Sequence, residues 1–548
     1  MCGILGGNAF ADERHFLDGL KSIIHRGTDA SRYVSLPDDY YLGHNRLSIQ
    51  DLSENSHQPM VSSCGRYYLA FNGELWESSF RKYNKPLREK YDFKTEKSDT
   101  ELLLYFLIEY QENLEVELRS LEGMFAFAFY DSEKKITRLS RDFMGRIPFY
   151  YYHEADKFAY CSEAKGLTQS IDDAKFFRTK RNSPKEEKLQ EKIRLVKPGT
   201  LMTYSPDGNL FLSGYAEETT TWLSFKDKDC EDFLYVKTEE DLEKITLPDL
   251  GIDHYTEEFK RRLRKSVEDE LIADVPVCTI LSGGVDSTII THILKEMKPD
   301  IEAFVVHIGE ESNGNDDLHY ARIAAKHFGI KLNEVIVTNE MIEGCLEETV
   351  WAVEHYDWRQ ISCSVAMLFL SKAIREKGYK VVFGGEGSDE IFASYNDVKR
   401  WSWRDPLDYH QKRVNLIHKL HEGNCIRVNT SMMYGGEVEL RAPFMGKDVV
   451  RYGLTLPVRY RSDRDGKGSR MKYLLRRAYE NEVNNDDLIW RPKITMQIGC
   501  HTDYLKEDKW QSMLKGLFVK LFQERDVPAR LLGRTFRDPD LIVEPERV

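Results

Sequence analysis

The sequence predicts two domains, an α+β domain with two packed sheets followed by a doubly wound α/β domain built on a parallel sheet. Three observations lead to this prediction. The 548 residues exceed what one hydrophobic core usually supports. A long apolar run at 121–131 is followed by further strand-like segments, which is typical of a sheet core. After residue 254, strand-like and helix-like segments alternate, and this order indicates a parallel sheet with helices on both faces.

The charge balance restricts the classes of partner. The sequence holds 78 Lys and Arg against 91 Asp and Glu, which gives a net charge of −13. An acidic surface repels nucleic-acid phosphates, so nucleic-acid binding through a basic patch is not expected. We expect small-molecule substrates instead, and a homodimer is left open.

The sequence also predicts a cytoplasmic location. It contains no uncharged apolar run of about 18 residues, so neither a transmembrane helix nor a membrane partner is expected. Asp12, Glu13 and Arg14 interrupt the start before the apolar core of a signal peptide can form. The nine cysteines include no C-x-x-C pair, which indicates a reducing compartment without disulfides or structural zinc.

The first residues, Met1-Cys2-Gly3, contain a candidate nucleophile. Because Cys2 is small, Met1 can be removed, which would leave the thiol and a free α-amine on one residue. An α-amine with a pKa of about 7.7 to 8.0 can act as a general base at neutral pH. Taken alone, Cys2 has the alternative interpretation of a buried structural cysteine.

Several motifs that follow add polar groups suited to an amino-acid substrate. A His-Arg-Gly-Thr-Asp turn occupies residues 25–29, and Arg46 lies in a strand-like segment. The Asn72-Gly73 corner offers a side-chain amide and a backbone N–H for an oxyanion hole. Asp99, at the start of a predicted helix, is either an N-cap or a ligand for an amine.

Together these motifs resemble class II glutamine amidotransferases, N-terminal-nucleophile hydrolases that release ammonia from glutamine. The resemblance implies an αββα sandwich in which Cys2 is the nucleophile and Asn72 and Gly73 form the oxyanion hole. It also implies that an arginine grips the glutamine α-carboxylate and that carboxylates hold its α-amine. The implied glutamine-binding residues are Arg46, Leu47, Ser48, Ile49, Gln50, Asn72, Gly73, Glu74 and Asp99. Thr28 stands where the family usually has proline, a change expected to affect loop rigidity more than chemistry.

An acidic connector is predicted to separate the two domains. We place the amidotransferase domain at 1–213, the connector at 214–253 and the second domain at 254–548. A Lys/Arg/Glu-rich stretch at 176–195 is interpreted as a solvated loop or helix of the first domain.

A glycine-rich segment, Leu281-Ser282-Gly283-Gly284-Val285-Asp286-Ser287, joins a buried strand to a helix in the second domain. Its glycines let the backbone approach an oxyanion, its serines add hydroxyl donors, and the helix directs its positive dipole end at the ligand. Asp286 would repel phosphate unless a metal lay between them, which makes it a candidate Mg²⁺ ligand. The alternative is an ordinary glycine-rich turn. The pattern lacks the Gly-Lys-Ser/Thr ending of a Walker loop and resembles the pyrophosphate loop of ATP pyrophosphatases.

A second loop, Gly384-Gly385-Glu386-Gly387-Ser388-Asp389-Glu390, ends another predicted strand and is expected to face the first loop across ATP. With this loop, the resemblance extends over nearly the whole chain to the glutamine-dependent asparagine synthetases, whose second signature differs here only at Gly384. The resemblance implies that Asp286 and Asp389 are Mg²⁺ ligands. It implies catalytic roles for Glu386, in acyl-adenylate formation, and for Lys493, in charge neutralisation. The implied ATP contacts are Leu281, Ser282, Gly283, Gly284, Asp286, Ser287, Val306, Gly384 and Gly385.

The implied reaction has two halves. ATP with Mg²⁺ activates a carboxylate as an acyl-AMP, and ammonia freed at Cys2 travels inside the protein to displace AMP. L-aspartate, giving L-asparagine, is the expected acceptor. A catalytically silent binding protein is a different class of hypothesis, and the joint presence of Cys2, Asp286, Asp389 and Lys493 speaks against it.

The acceptor segment departs most from the family pattern. Where the family has an arginine facing aspartate, this chain has Ser362, and Arg359 lies three residues earlier on the same predicted helical face. The later Gly-Gly-Tyr of the family becomes Ala393-Ser394-Tyr395. We therefore expect Arg359 and Ser362 in the aspartate site, and the same chemistry on a sugar acid, a peptide or a secondary metabolite is the alternative. Closure of an internal amide is a third possibility, although relatives with that reaction often lose Cys2.

Overall fold

The computed structural model describes residues 1–172, 174, 192–214, 236, 238–309, 314, 316–392, 394, 405–460, 471–494, 496–499, 502–528, 531–532 and 543–548. Residues 176–191 of the predicted charged stretch and 215–235 of the predicted connector lie outside these ranges, as do Ala393 and Tyr395. No helix in these ranges is long and apolar enough to cross a membrane.

Strands and helices are numbered in chain order within the described residues. The strands are β1 Gly3–Gly7, β2 Ala30–Leu36, β3 Tyr40–Arg46, β4 Met60–Val61, β5 Tyr67–Leu75, β6 Gly123–Asp131, β7 Ile136–Arg141, β8 Tyr150–Glu154, β9 Lys157–Cys161, β10 Ile193–Leu195, β11 Thr200–Tyr204, β12 Leu210–Gly214, β13 Val277–Ile280, β14 Ala303–Ile308, β15 Leu332–Val337, β16 Val381–Phe383, β17 Glu439–Arg441 and β18 Glu546–Arg547. The α-helices are α1 Glu13–Ser22, α2 Glu77–Arg88, α3 Asp99–Glu109, α4 Leu114–Leu118, α5 Ala164–Ser170, α6 Glu239–Ile245, α7 Ile252–Glu270, α8 Val285–Met297, α9 Asp317–Phe328, α10 Asn339–Gly344, α11 Leu346–Val353, α12 Trp358–Glu376, α13 Ser388–Ile391, α14 Pro406–Leu420, α15 Asn424–Gly436, α16 Lys447–Thr455, α17 Tyr473–Val483, α18 Asp486–Ile489, α19 Met496–Gly499 and α20 Asp508–Phe518.

The first domain is an αββα sandwich, which confirms the predicted fold. One sheet has the strand order β10-β8-β9-β1-β3-β2-β18, and the other has the order β12-β11-β7-β6-β5-β4. Neighbouring strands are antiparallel except for β18, which pairs with β2 in parallel. Helices α1 and α5 cover the outer face of the first sheet, and α2 and α3 cover that of the second.

Strand β6 shows how the sequence builds this core. All nine of its residues are buried. Phe125, Phe127 and Phe129 pack on the side of α2 and α3, whereas Ala126 and Ala128 face the other sheet. Because side chains alternate across a strand, rings fill the helix layer on one face and small methyl groups let the sheets approach on the other.

The second domain contains a five-stranded parallel sheet in the order β15-β14-β13-β16-β17. Val305 and Phe383 pack on the same side as α8 and α9, and Phe304 and Val382 pack on the side of α12. Helices therefore cover both faces, which confirms the doubly wound prediction.

The strand order brings the two predicted ATP loops together. Strands β14 and β15 extend the sheet on one side of β13, and β16 and β17 extend it on the other. In a doubly wound sheet the ligand binds at the carboxyl ends of the strands where the order reverses. The first loop follows β13 and the second follows β16, so both lie at this point.

Candidate functional site

Cys2 is held at the start of β1 by contacts from separate parts of the first domain. Its backbone N–H donates to Asn72 Oδ1 at 2.6 Å, and its carbonyl accepts from Arg26 Nε at 2.7 Å. The Leu47 N–H lies 3.4 Å from the Cys2 Sγ. Burial raises the pKa of the Cys2 thiol. A base therefore has to take the thiol proton before the sulfur can attack.

The predicted oxyanion corner lies in β5 beside Cys2. Asn72 is fully buried, and its Nδ2 has no hydrogen-bond partner within the described part of the chain. An unpaired buried donor is costly, so this N–H is available to an incoming acceptor. Gly73 has a φ of +130°, and any side chain there would collide with the carbonyl oxygen of Met124. Glycine is therefore required at the corner.

Glu74 and Asp99 form a buried acidic pair next to the corner. Asp99 begins α3 and accepts from the Leu75 N–H at 3.2 Å, while Ser98 is the residue that caps the helix. Glu74 accepts a hydrogen bond from the Gln50 side-chain amide. Burial raises the pKa of Asp99, and burial together with the Asp99 charge raises that of Glu74. Such a pair favours a neighbouring cation and suits the ammonium group of an amino acid.

Arg46 and residues 47–50 complete the predicted glutamine pocket. Arg46, at the end of β3, is 4% exposed and donates to the carbonyls of Asp51 and Ser53. Residues 47–50 are all buried. Arg46 lies close enough to Cys2 for its charge to favour the thiolate, although burial has the larger, opposite effect on the thiol pKa. The structure thus gathers the predicted glutamine residues around Cys2.

The Cys2 site borders the second domain. The Met1 amine pairs with Glu439 of β17 at 3.3 Å, and Glu439 also pairs with Arg441 at 2.9 Å. Arg26 Nη2 donates to Asn429 of α15 at 2.9 Å. Sequence reasoning did not find these contacts, since the partners lie more than 400 residues apart.

Sequence reasoning also missed a fully buried charge cluster behind Cys2. Glu163 accepts from His25 Nε2 at 3.0 Å and from Arg26 Nη1 at 2.6 Å, and it pairs with Lys165. The Lys165 backbone N–H donates to Glu354 Oε1 at 2.6 Å. These bonds connect the first domain to Glu354, which lies five residues before Arg359 of the predicted acceptor segment. Charged residues within the apolar 159–165 run are the signal that could have indicated such a cluster.

The first ATP loop has the predicted conformation. Gly284 precedes α8, and Gly283 has a φ of +67° where a side chain would collide with Tyr320. The hydroxyls of Ser282 and Ser287 lie 3.1 Å apart at the N-terminal end of the helix. Two other predicted ATP contacts are buried in this part of the sheet, Leu281 and Val306.

The second loop packs directly on the first. A side chain at Gly385 would lie 2.7 Å from the Cβ of Asp286, and Ser388 Oγ donates to Asp286 Oδ1 at 2.7 Å. Glu386 Oε2 is buried without a hydrogen-bond partner among the described residues, and it lies against Gly384. Burial raises the pKa of Glu386 to about 6. The loop therefore holds a carboxylate with an open acceptor oxygen beside Asp286.

Two lysines neutralise the two predicted metal ligands. Lys472 pairs with Asp286 and, at 2.5 Å, with Asp389, and Lys493 also pairs with Asp389. Although burial opposes them, the two charges lower the pKa of Asp389. The family resemblance implied a role for Lys493, whereas sequence reasoning missed Lys472, because a single lysine between Met471 and Tyr473 gives no signal.

Asp286 and Asp389 fit a Mg²⁺ site that a ligand completes. Both carboxylates reach one ammonium group, so they can share one cation. In the described ranges, no group of three or more His, Cys, Asp or Glu side chains is arranged to hold a metal ion. Mg²⁺ commonly binds one or two carboxylates together with substrate phosphates and water. The donor set therefore suits Mg²⁺ bound with ATP.

Arg491 connects three parts of the predicted ATP site. Its guanidinium donates to the Ser282 carbonyl and to Asp317 Oδ1 of α9, each at 2.8 Å, and lies 4.1 Å above the Tyr320 ring. Because Arg491 is two residues before Lys493, it fixes the Lys493 segment to the first loop. Sequence reasoning assigned no role to Arg491.

The predicted acceptor residues begin α12. Asp357 caps the helix, and Arg359 pairs with Asp357 at 3.6 Å while remaining 67% exposed. Ser362 is buried, and its hydroxyl donates to the Arg359 carbonyl at 3.2 Å. Among the described residues, no hydrogen bond or ion pair joins the Arg359 side chain to either predicted ATP loop.

Arg427 of α15 is an arginine near the ATP loops that sequence reasoning missed. Its Nη1 is buried and has no hydrogen-bond partner in the described part of the chain. Burial raises the pKa of Glu386 and of Cys363 in α12, and the Arg427 charge partly offsets this at both groups. Arg427 thus lies near both the second loop and the acceptor helix.

Comparison with known proteins identifies both halves of the chain. Residues 1–215 match the family model of a glutamine amidotransferase domain, and residues 258–415 and 405–537 match that of asparagine synthase. The chain is 29% identical to the glutamine-hydrolyzing asparagine synthetase B of Escherichia coli, over 92% of this chain and 84% of that protein. It is 28% identical to the glutamine-hydrolyzing asparagine synthetase of Gallus gallus, over 94% and 87%.

These matches confirm the resemblance drawn from the motifs. The asparagine synthase model covers about half of the chain, and the amidotransferase model covers most of the remainder. The chain belongs to the asparagine synthase family and is a carbon–nitrogen ligase of the glutamine-hydrolysing asparagine synthase type.

Proposed function

We propose that this protein converts L-aspartate to L-asparagine, with glutamine as nitrogen donor and ATP as activating substrate. ATP adenylates the aspartate side-chain carboxylate, and ammonia released from glutamine displaces AMP. The observation that carries the proposal is the combination, within one member of the asparagine synthase family, of the Cys2 site and the paired ATP loops.

In the first half-reaction, Cys2 Sγ attacks the side-chain amide of glutamine. Removal of Met1 frees the Cys2 α-amine, which takes the thiol proton and delivers it to the departing ammonia. Asn72 Nδ2 and the Gly73 N–H stabilise the oxyanion. The buried, unpaired Nδ2 supports this role because folding has already removed it from water, so binding the oxyanion requires no further desolvation of this group.

The charged ends of glutamine are held by residues around Cys2. Arg46 binds the α-carboxylate, and its role is supported because it donates only to backbone carbonyls and forms no ion pair among the described residues. Glu74 and Asp99 bind the α-amine, which relieves the repulsion between two buried acids. Leu47, Ser48, Ile49 and Gln50 line the pocket.

In the second half-reaction, the glycine loop and the helix end behind it bind the ATP phosphates. Asp286 and Asp389 would hold Mg²⁺, which supplies neutralisation of phosphate charge when bound. Lys493 neutralises the departing pyrophosphate. Glu386 acts in acyl-adenylate formation, and its unpaired oxygen beside the loops supports that role.

Ammonia passes from Cys2 to the adenylate through the domain interface. The contact of Arg26 with Asn429 supports this route, because it places a second-domain residue directly against the Cys2 site. A protected route matters, since water would hydrolyse the adenylate.

Two arginines are candidates to bind the α-carboxylate of the acceptor. Arg359, near Ser362, is mostly exposed and already paired with Asp357. Arg427 has a buried, unpaired Nη1 and lies near Glu386, so we favour it as the main cation. An exposed ion pair contributes little because water and salt screen it, which counts against Arg359.

The proposal is tested with protein from which Met1 has been removed. Pyrophosphate release is measured with ATP, Mg²⁺ and glutamine, with and without millimolar aspartate, and products are identified by mass spectrometry after supply of amide-¹⁵N glutamine. We expect aspartate-dependent pyrophosphate and ¹⁵N-asparagine. If aspartate gives no pyrophosphate, the asparagine assignment is wrong, and the same assay with sugar acids and peptides tests the other acceptors.

A further inference from the structure

Lys472 lies between the two predicted metal ligands, Asp286 and Asp389. It is 1% exposed, whereas Asp286 is 21% exposed and Asp389 is 27% exposed. The Lys472 ammonium contacts both carboxylates, and Lys493 contacts Asp389. Two ammonium groups thus face two carboxylates, so the charges of these four side chains cancel.

The backbone of Lys472 fixes this arrangement. Lys472 has a φ of +60° and a ψ of 37° at the position before α17. Its carbonyl accepts from the Arg476 N–H at 3.0 Å, and Arg476 Nε donates to the Met471 carbonyl at 2.8 Å. A left-handed conformation is uncommon outside glycine and persists only where the surrounding structure imposes it. The lysine side chain therefore starts from a fixed point beside the two loops.

We propose that Lys472 is the resident cation of the metal site in the free enzyme, so that Mg²⁺ binds only together with the ATP triphosphate. This inference rests on the proposed ATP site. A divalent cation arriving alone would meet an ammonium group between its two ligands, and like charges at such distances repel strongly. The triphosphate carries more negative charge than one Mg²⁺ neutralises, so it draws the Lys472 ammonium away from the carboxylates.

The exchange also explains why the site contains two lysines. When ATP and Mg²⁺ bind together, Asp286 and Asp389 pass to the metal, and both ammonium groups become available to phosphate oxygens. Lys472 would then hold the triphosphate in the loaded enzyme and occupy the metal position in the free enzyme. The enzyme would thereby avoid a metal-loaded, nucleotide-free state.

The test is direct binding of Mn²⁺, as a probe for Mg²⁺, measured by electron paramagnetic resonance on the nucleotide-free protein. We expect Lys472→Met to bind Mn²⁺ at least tenfold more tightly than wild type. We also expect its affinity for ATP in the presence of Mg²⁺ to fall at least tenfold. These opposite shifts would not follow from general damage to the fold. Lys472→Arg keeps the charge and should show no gain in Mn²⁺ affinity.

Two further variants locate the effect. Adding Asp286→Asn to Lys472→Met should abolish the gain, because the gained Mn²⁺ site requires that carboxylate. Lys472→Gln keeps length and hydrogen bonding, and it replaces the methionine variant if that protein does not fold. Equal Mn²⁺ affinities for wild type and the neutral variants would overturn the inference even with the aspartate reaction intact. Opposite shifts without aspartate-dependent pyrophosphate release would instead refute only the proposed function.

Discussion

Replacement of Asn72 by alanine should separate glutamine chemistry from stability. Asn72 has two distinct contacts to lose. Its Oδ1 accepts from the Cys2 N–H at 2.6 Å, and its Nδ2 is buried without a partner among the described residues. The first contact positions the nucleophile, and the second group is free to bind the oxyanion of the tetrahedral intermediate.

The magnitudes follow from these two groups. Loss of one oxyanion donor lowers kcat by roughly 10²- to 10³-fold, or about 2.7 to 4 kcal/mol. For stability, leaving the Cys2 N–H unpaired costs about 1 to 3 kcal/mol, and removing the unpaired Nδ2 relieves a penalty of similar size. The two terms oppose each other, so we expect a small change in the free energy of unfolding beside a large change in glutaminase rate.

Three measurements check this prediction in the Asn72→Ala protein. They are glutamate release from glutamine, pyrophosphate release with ammonia in place of glutamine, and guanidinium unfolding. Asn45→Ala is the matched control, because Asn45 is equally buried but fully paired, donating to the Leu20 carbonyl at 2.9 Å and accepting from Ser31 Oγ at 2.6 Å. It should lose stability without a specific loss of glutaminase rate. A glutaminase loss below tenfold for Asn72→Ala, or equal losses of both activities, would refute the oxyanion assignment.

Three other perturbations address the remaining parts of the site. Cys2→Ala should abolish use of glutamine and leave ammonia-dependent synthesis largely intact, and protein that retains Met1 should behave in the same way. Loss of both activities together, measured by a glutaminase assay and a pyrophosphate assay, would contradict the two-site arrangement. Glu386→Gln should abolish ATP–pyrophosphate exchange. Above pH 6 it should also raise the free energy of unfolding, by at most about 2 kcal/mol, because water screens part of the charge on this partly exposed side chain. Burial raises the folded-state pKa of Glu386 from 4.5 to about 6, so the wild-type protein loses stability as the pH rises through this range. If the free energy of unfolding changes equally for wild type and variant between pH 4.5 and 7.5, the prediction is wrong. Arg427→Ala should raise the aspartate KM roughly 10- to 150-fold, which corresponds to a loss of about 1.5 to 3 kcal/mol of binding free energy, and Arg359→Ala should raise it much less. Glutaminase rates should be unchanged in both variants. A larger KM increase in Arg359→Ala than in Arg427→Ala would return the role to Arg359.

Much of the site follows from short sequence patterns. The glycine loops were predicted at the ends of two strands, and they follow β13 and β16. Gly73 and Gly283 explain why such patterns are informative, since their positive φ values and close neighbours exclude other residues. The acceptor segment was less predictable. Its residues lie on a helix, as their spacing predicted, but the exposure of Arg359 depends on packing that helical spacing does not describe.

The sequence by itself determined the fold class and the alternation of strands and helices, and its local motifs predicted site residues such as Cys2, Asn72 and Asp286. The spacing of apolar residues and the conformational freedom of glycine depend on residues that are close in sequence, so both can be recognised from the sequence. Only the tertiary structure decided that Lys472 lies between Asp286 and Asp389, and that Glu439 meets the N-terminus. Burial and charge pairing between residues hundreds of positions apart depend on the folded path of the chain, and they leave no local pattern.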